Sequence, residues 1–123
     1  MEKKLKICEV CRGYEYEGPR FIKLGPFSGE EFREKYLSTW LNTLDEQDKA
    51  IIDFEGTKMY SPSFLEESFG GVIRNANSEK EAENNRKKLK IVEFINIDPD
   101  WGKKLNSYIE KAKYTVKENN AAK

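Results

Sequence analysis

Residues 52–65 read Ile52-Asp53-Phe54-Glu55-Gly56-Thr57-Lys58-Met59-Tyr60-Ser61-Pro62-Ser63-Phe64-Leu65. The stretch holds a strand end, a turn and a helix start. Lys49 to Phe54 is apolar and β-branched enough for a short buried strand, and Glu55-Gly56 closes it. Two residues compete to cap the helix that follows. With Ser61 as cap, Pro62 takes the first helical position and Tyr60 can staple to Leu65; with Ser63 as cap, Glu66 completes a capping box. Ser61 is preferred because it accounts for the proline. Ser63 then lies in the first turn, its hydroxyl beside unpaired backbone N–H groups. The apolar stripe Leu65, Phe69, Val72 and Ile73 carries this helix over 62–76, and it fades at Asn75-Ala76-Asn77. Gly70-Gly71 inside it implies close backbone packing or an early helix end.

Upstream, Ser28 and Glu31 form a capping box, Phe27 and Phe32 a hydrophobic staple, and the helical spacing of Phe32, Tyr36, Leu37, Trp40, Leu41 and Leu44 predicts a helix over 28–45. Residues 5–11 alternate and read as a half-buried strand. Gly13, Gly18 and Pro19 mark a connection, and Arg20 to Leu24 reads as a second short strand. Downstream, Ser78 and Glu81 open a segment, 78–88, with almost no apolar face, so a helix there is short and exposed. Leu89 to Ile97 reads as a buried strand. Asp98-Pro99 starts a last helix over 99–117, and residues 118–123 are expected to fray.

This order predicts one α/β domain over 1–117, a mixed sheet of about four strands with helices packed against it. The expected core is Leu37, Trp40, Leu41, Ile51, Ile52, Phe54, Leu65, Phe69, Ile91, Ile95, Leu105 and Ile109.

Composition narrows the function. The chain has 123 residues, near the usual size of one domain, and fifteen aromatics argue against disorder. Its 22 basic and 22 acidic residues give a formal charge of zero, which favours neither nucleic acid nor a membrane surface. No stretch approaches the ~18 apolar residues of a membrane span, and no signal peptide is evident, so a cytoplasmic address is expected. Histidine is absent, which excludes Ser-His-Asp and Cys-His nucleophile pairs and imidazole metal ligands.

Three constellations invite chemistry. Cys8 and Cys11 form a CxxC, but three residues apart on an extended strand lie ~10 Å apart and face opposite ways. Two free thiols and no metal are expected. Arg86-Lys87-Lys88-Leu89-Lys90 is the most basic run, and Glu79, Glu81 and Glu83 just before it make it a solvated face. Asp53 and Glu55, at the end of the central strand, lie where open α/β sheets bind ligands. A small enzyme or nucleotide-binding domain using them and the helix N-terminus at Ser61 is the alternative function. The bland reading is that both acids cap the turn and face water.

At the opening stretch the chain resembles the STAS domains of bacterial anti-sigma-factor antagonists. Asp53-Phe54-Glu55-Gly56-Thr57 matches their strand-end motif and Ser61-Pro62-Ser63-Phe64-Leu65 their helix-start motif. It is more closely similar to the STAS-like domain family of unknown function, through Gly25-Pro26-Phe27-Ser28-Gly29-Glu30-Glu31-Phe32-Arg33-Glu34 and Ser63-Phe64-Leu65-Glu66-Glu67-Ser68-Phe69-Gly70-Gly71. The resemblance implies a non-enzymatic regulatory module without a cofactor, a switch partner of a kinase-like ATPase. It places the phosphorylated serine of the antagonists on Ser63 and centres docking on Ser61 and Ser63. Lys58, Tyr60, Phe64, Glu66 and Glu67 are the expected flanking surface. Ser61 stands where the antagonists have an acid, Phe64 where they have glycine, and Glu66 and Glu67 would repel a phosphate.

Overall fold

Each of the four long helices starts on a residue whose side chain takes a backbone N–H that the helix itself leaves free. The computed structural model describes residues 1–10 and 13–116. Ser28 Oγ accepts from Glu31 N at 3.0 Å, Ser61 Oγ from Phe64 N at 3.3 Å and Ser78 Oγ from Glu81 N at 3.1 Å. Asp98 Oδ1 accepts from Asp100 N at 2.9 Å. Pro62 and Pro99 occupy first-turn positions, where a missing N–H costs nothing. Of the two competing caps, Ser61 is the one used.

The chain runs β1 (Glu2–Lys6), a single turn α1 (Ile7–Val10), a 3₁₀ turn (Ile22–Leu24), α2 (29–42), β2 (Lys49–Asp53), α3 (62–74), α4 (Glu79–Ile91), β3 (Glu93–Ile95) and α5 (Pro99–Lys111). In α2 and α3 the middle turn is widened to a π turn, at Arg33–Leu37 and at Glu66–Gly70. Among the described residues the sheet has three strands in the order β1-β2-β3, and both pairings are parallel. Leu5, Ile52 and Phe94 lie in register. They share one face with Ala50 and join the core formed with Phe32, Leu37, Leu41, Phe64, Leu65, Phe69, Leu105 and Ile109. Lys4, Lys49 and Glu93 stand exposed on the other face.

The expected fourth strand is absent among the described residues, and the sheet is parallel rather than mixed. At 20–24 the backbone bonds locally, Leu24 N to Phe21 O and Gly25 N to Ile22 O. The carbonyls of Pro19 and Arg20 accept from Gly29 and Glu30 at the start of α2. No ladder is left for a strand. The first strand ends at Lys6 because its partner β2 ends at Asp53; Ile7 then turns into α1, so Cys8 is not on an extended segment. Cys8 is a free thiol, raised above the ordinary thiol range by burial; Cys11 lies outside the described residues.

The other departures lie around the long fourth helix. Residues 78–88 were expected to form a short exposed helix and 89–97 a strand, yet α4 runs to Ile91 and β3 keeps three residues. Ala82 and Leu89, seven apart, are its buried anchors. Arg86 of the basic run bonds the carbonyls of Ile109 and Ala112 at the end of α5, and Lys88 that of Leu41. Ile91, expected in the core, is therefore 52% exposed, and Trp40 and Ile95 are half-buried. The other nine expected core residues are buried. The three predicted helices end at 42, 74 and 111 rather than 45, 76 and 117. Among the described residues, no helix is long and apolar enough to cross a membrane.

Candidate functional site at the start of α3

The start of α3 is held from three sides. Gly29 of α2 presses so closely on it that a Cβ there would lie 2.5 Å from Phe64 O. Ser68 Oγ donates to Gly29 O at 3.2 Å, locking the crossing. Phe64 packs on Phe32 and Tyr14, each with ring centroids 5.6 Å away. From the third side, Ser61 N donates to the carboxyl of Glu17 at 2.7 Å.

Ser61 and Ser63 come together on the first turn, both half-buried. Ser61 Oγ is engaged as the cap, whereas Ser63 Oγ bonds no other described residue. Lys58 and Met59 are exposed just before them, and Lys58 Nζ lies 5.9 Å from the ring of Tyr16, itself 56% exposed. Tyr60 is half-buried, stacks on Trp101 at 5.3 Å, and accepts from Asp98 N at 3.2 Å. Phe64 and Glu67, expected to flank the surface, are buried instead: Phe64 fills the core and Glu67 is 3% exposed.

Glu66 and Glu67 do not stand as bare charges. Arg20 Nη1 reaches Glu66 Oε1 at 2.5 Å and Arg74 spans Glu66 with contacts of 2.8 and 3.0 Å. Arg33 Nη2 donates to Glu67 Oε2 at 3.0 Å, and Arg74 Nη2 donates to Glu67 Oε1 at 3.2 Å. Burial pushes the Glu66 carboxyl up, but hydrogen bonds from Arg74 and Arg20 outweigh it and hold the group below the usual carboxylate range. Three arginines meet two carboxylates. The repulsion expected for a phosphate on Ser63 is thus offset within the protein.

Beneath the helix start, Glu17 is in the opposite condition. It is 3% exposed, Oε1 takes the Ser61 N–H, and Oε2 is buried without a partner among the described residues. Burial pushes its carboxyl up to about 8, the Ser61 hydrogen bond only partly opposing.

The alternative site separates. Asp53 is buried, and its Oδ1 accepts from Asn96 Nδ2 and from Glu55 N, both at 2.9 Å. Burial would raise this carboxyl, but the bonds from Asn96 and Glu55 and the nearby Lys4 and Lys6 hold it low. Asp53 thereby ties β2 to the turn after β3, while Glu55 faces water. No group of three potential metal ligands exists among the described residues.

Sequence reasoning missed Glu17, Arg20, Arg33 and Arg74. Glu17 sits in a polar connection with no periodicity to mark it inward. The arginines are far apart in sequence, and only the fold gathers three of the chain's five around one helix.

No curated protein and no solved structure matches this chain. The model of the STAS-like domain of unknown function matches residues 28–100, from the cap of α2 through the start of α5, which is more than half of the chain. The matched stretch contains the start of α3 and, from Ser28 on, the residues that carried the resemblance, and the chain belongs to that family of STAS-like domains.

Proposed function

We propose that the domain is a non-enzymatic regulatory module that docks a protein partner through the start of α3, with Ser61 and Ser63 at the centre of the contact. The observation that carries this reading is Ser63: a hydroxyl engaged with no other described residue, on the first turn of a helix whose start is fixed by α2, Phe64 and Glu17. The positive end of the helix dipole attracts an anionic group or an acceptor loop there. Exposed Lys58, Met59 and Tyr16 supply a charged and apolar rim. The resemblance to the anti-sigma-factor antagonists supports a kinase-like ATPase as the partner class and Ser63 as the phosphoacceptor. The arginine–glutamate network supports that second step, since Glu66 and Glu67 are already paired.

The test starts from the partner, recovered by affinity capture and purified. Its affinity is then measured for wild type, Ser63→Ala and Ser63→Glu. Docking at this surface predicts more than tenfold weaker binding for the charged variant, about 1.4 kcal/mol, and much less for alanine. Equal affinity for all three places the interface elsewhere.

A further inference from the structure

Residues 15–17 strap the segment that leads into α3. Lys58 N and Met59 N donate to Glu15 O at 2.7 and 3.1 Å, and Glu17 N donates to Met59 O at 3.1 Å. The two segments therefore pair over a single bridge, Tyr16 with Met59. Beyond the bridge, the Glu17 carboxyl carries the tie on to Ser61 N at 2.7 Å. Both ends of the strap are fixed: Tyr14 is buried against Phe32 and Phe64, and Gly18 N donates to Phe27 O at 3.0 Å. Between those anchors Tyr16 is exposed, so the three residues can move outward without disturbing the core.

What holds the strap closed depends on the charge of Glu17. Its carboxyl is buried and Oε2 meets no donor among the described residues. The titratable groups around it bring no pairing cation. On α1, the Cys8 thiol is raised by burial and then by the negative charges of Glu15, Glu17 and Asp53. On the facing segment, Lys58 Nζ lies over the ring of Tyr16 and the Tyr60 hydroxyl takes the Asp98 N–H. A neutral carboxyl fits such a place. A carboxylate would give up its hydration for one N–H and the positive end of α3, which offset only part of the loss. Water reaches it when the strap moves. We infer that Glu17 is a proton-operated latch: when its carboxyl ionises, residues 15–17 leave 57–61 and the first turn of α3 loosens. The inference rests on the docking reading for its consequence, that a partner needing an ordered helix start binds more tightly with Glu17 protonated. The release itself belongs to the free protein. Burial places the transition at about 8, above the ordinary 4.5, so the latch is closed below that range and opens as pH rises through it.

The test uses the free protein. The Glu17 carboxyl ¹³C shift is followed from pH 4 to pH 10, and amide protection factors of Lys58, Met59 and Ser61 are measured from pH 6 to pH 9 in wild type and Glu17→Gln. In wild type the three amides should lose at least tenfold protection as Glu17 titrates, while the Leu89 amide in α4 keeps its own. In Glu17→Gln they should stay level. The inference is overturned if Glu17 titrates near 4.5, if the three amides keep their protection, or if Leu89 loses protection in parallel, which would be global unfolding. An equal loss in Glu17→Gln would also overturn it and assign the opening to Cys8. With no partner present, none of these outcomes depends on where a partner docks.

Discussion

Glu67 and Glu17 are equally buried, each 3% exposed; Glu67 lies on α3 and Glu17 beneath its start. Glu67 meets Arg33, Arg74 and Arg20. Glu17 meets one backbone N–H and keeps a second oxygen unpaired. The difference teaches how the domain divides its tasks. One carboxylate, enclosed by cations, staples α3 to α2 and to the 18–27 loop. The other gains most by staying protonated, because an ionised carboxylate without a cation is expensive to bury.

The largest effect should come from breaking the paired side. Glu67→Ala leaves Arg33 and Arg74 facing each other without their shared partner, and should cost ~3–5 kcal/mol in chemical denaturation. Glu66→Ala, half-exposed, should cost far less. A loss below ~1 kcal/mol for Glu67→Ala would show that the network does not hold the helix.

Glu17 gives the next effect, and it depends on pH. Its folded pKa of about 8 lies above the ordinary 4.5, so the folded state binds more protons than the unfolded one between these values. Its stability contribution is intact below pH ~4.5 and is lost as pH rises through ~8. The chain has no histidine to mask that window. Glu31, Asp48, Asp53 and Glu66 are held low and act in the opposite sense, losing stability as pH falls through the acid range. The melting temperature should therefore peak near pH 5 and decline toward pH 9. Glu17→Gln should flatten the alkaline limb and be the more stable form above pH ~8. Parallel profiles for the two proteins would assign that limb to another group.

The smallest effect sharpens the contrast between caps. Ser61→Ala removes the 3.3 Å bond to Phe64 N and should cost about 1 kcal/mol. Since Glu17 binds the Ser61 backbone and not its side chain, the alkaline limb should persist in this variant. Its disappearance would mean that the cap and the buried acid act as one unit.

Local signals fixed more of this fold than pairing did. Serine or aspartate three residues before a partnered N–H, and proline just after, can be read from adjacent residues, so all four helix starts were legible. Strand ends were not, because they depend on the partner: β1 stops where β2 stops, and nothing in Ile7-Cys8 says so. The Leu89–Ile97 stretch looked like a strand because it is rich in apolar and β-branched residues, yet Leu89 is buried by the helical seven-residue spacing from Ala82. Ser61 and Ser63 were legible as a helix start. The arginine network and Glu17 were not, since long-range charge pairing leaves no local period.

The docking reading rests on where a partner touches. Amide hydrogen exchange of the purified protein, alone and saturated with its captured partner, addresses this with no substitution at all. The account predicts that added protection centres on residues 58–66, at the start of α3. Protection confined to other segments, with 58–66 unchanged, would contradict it.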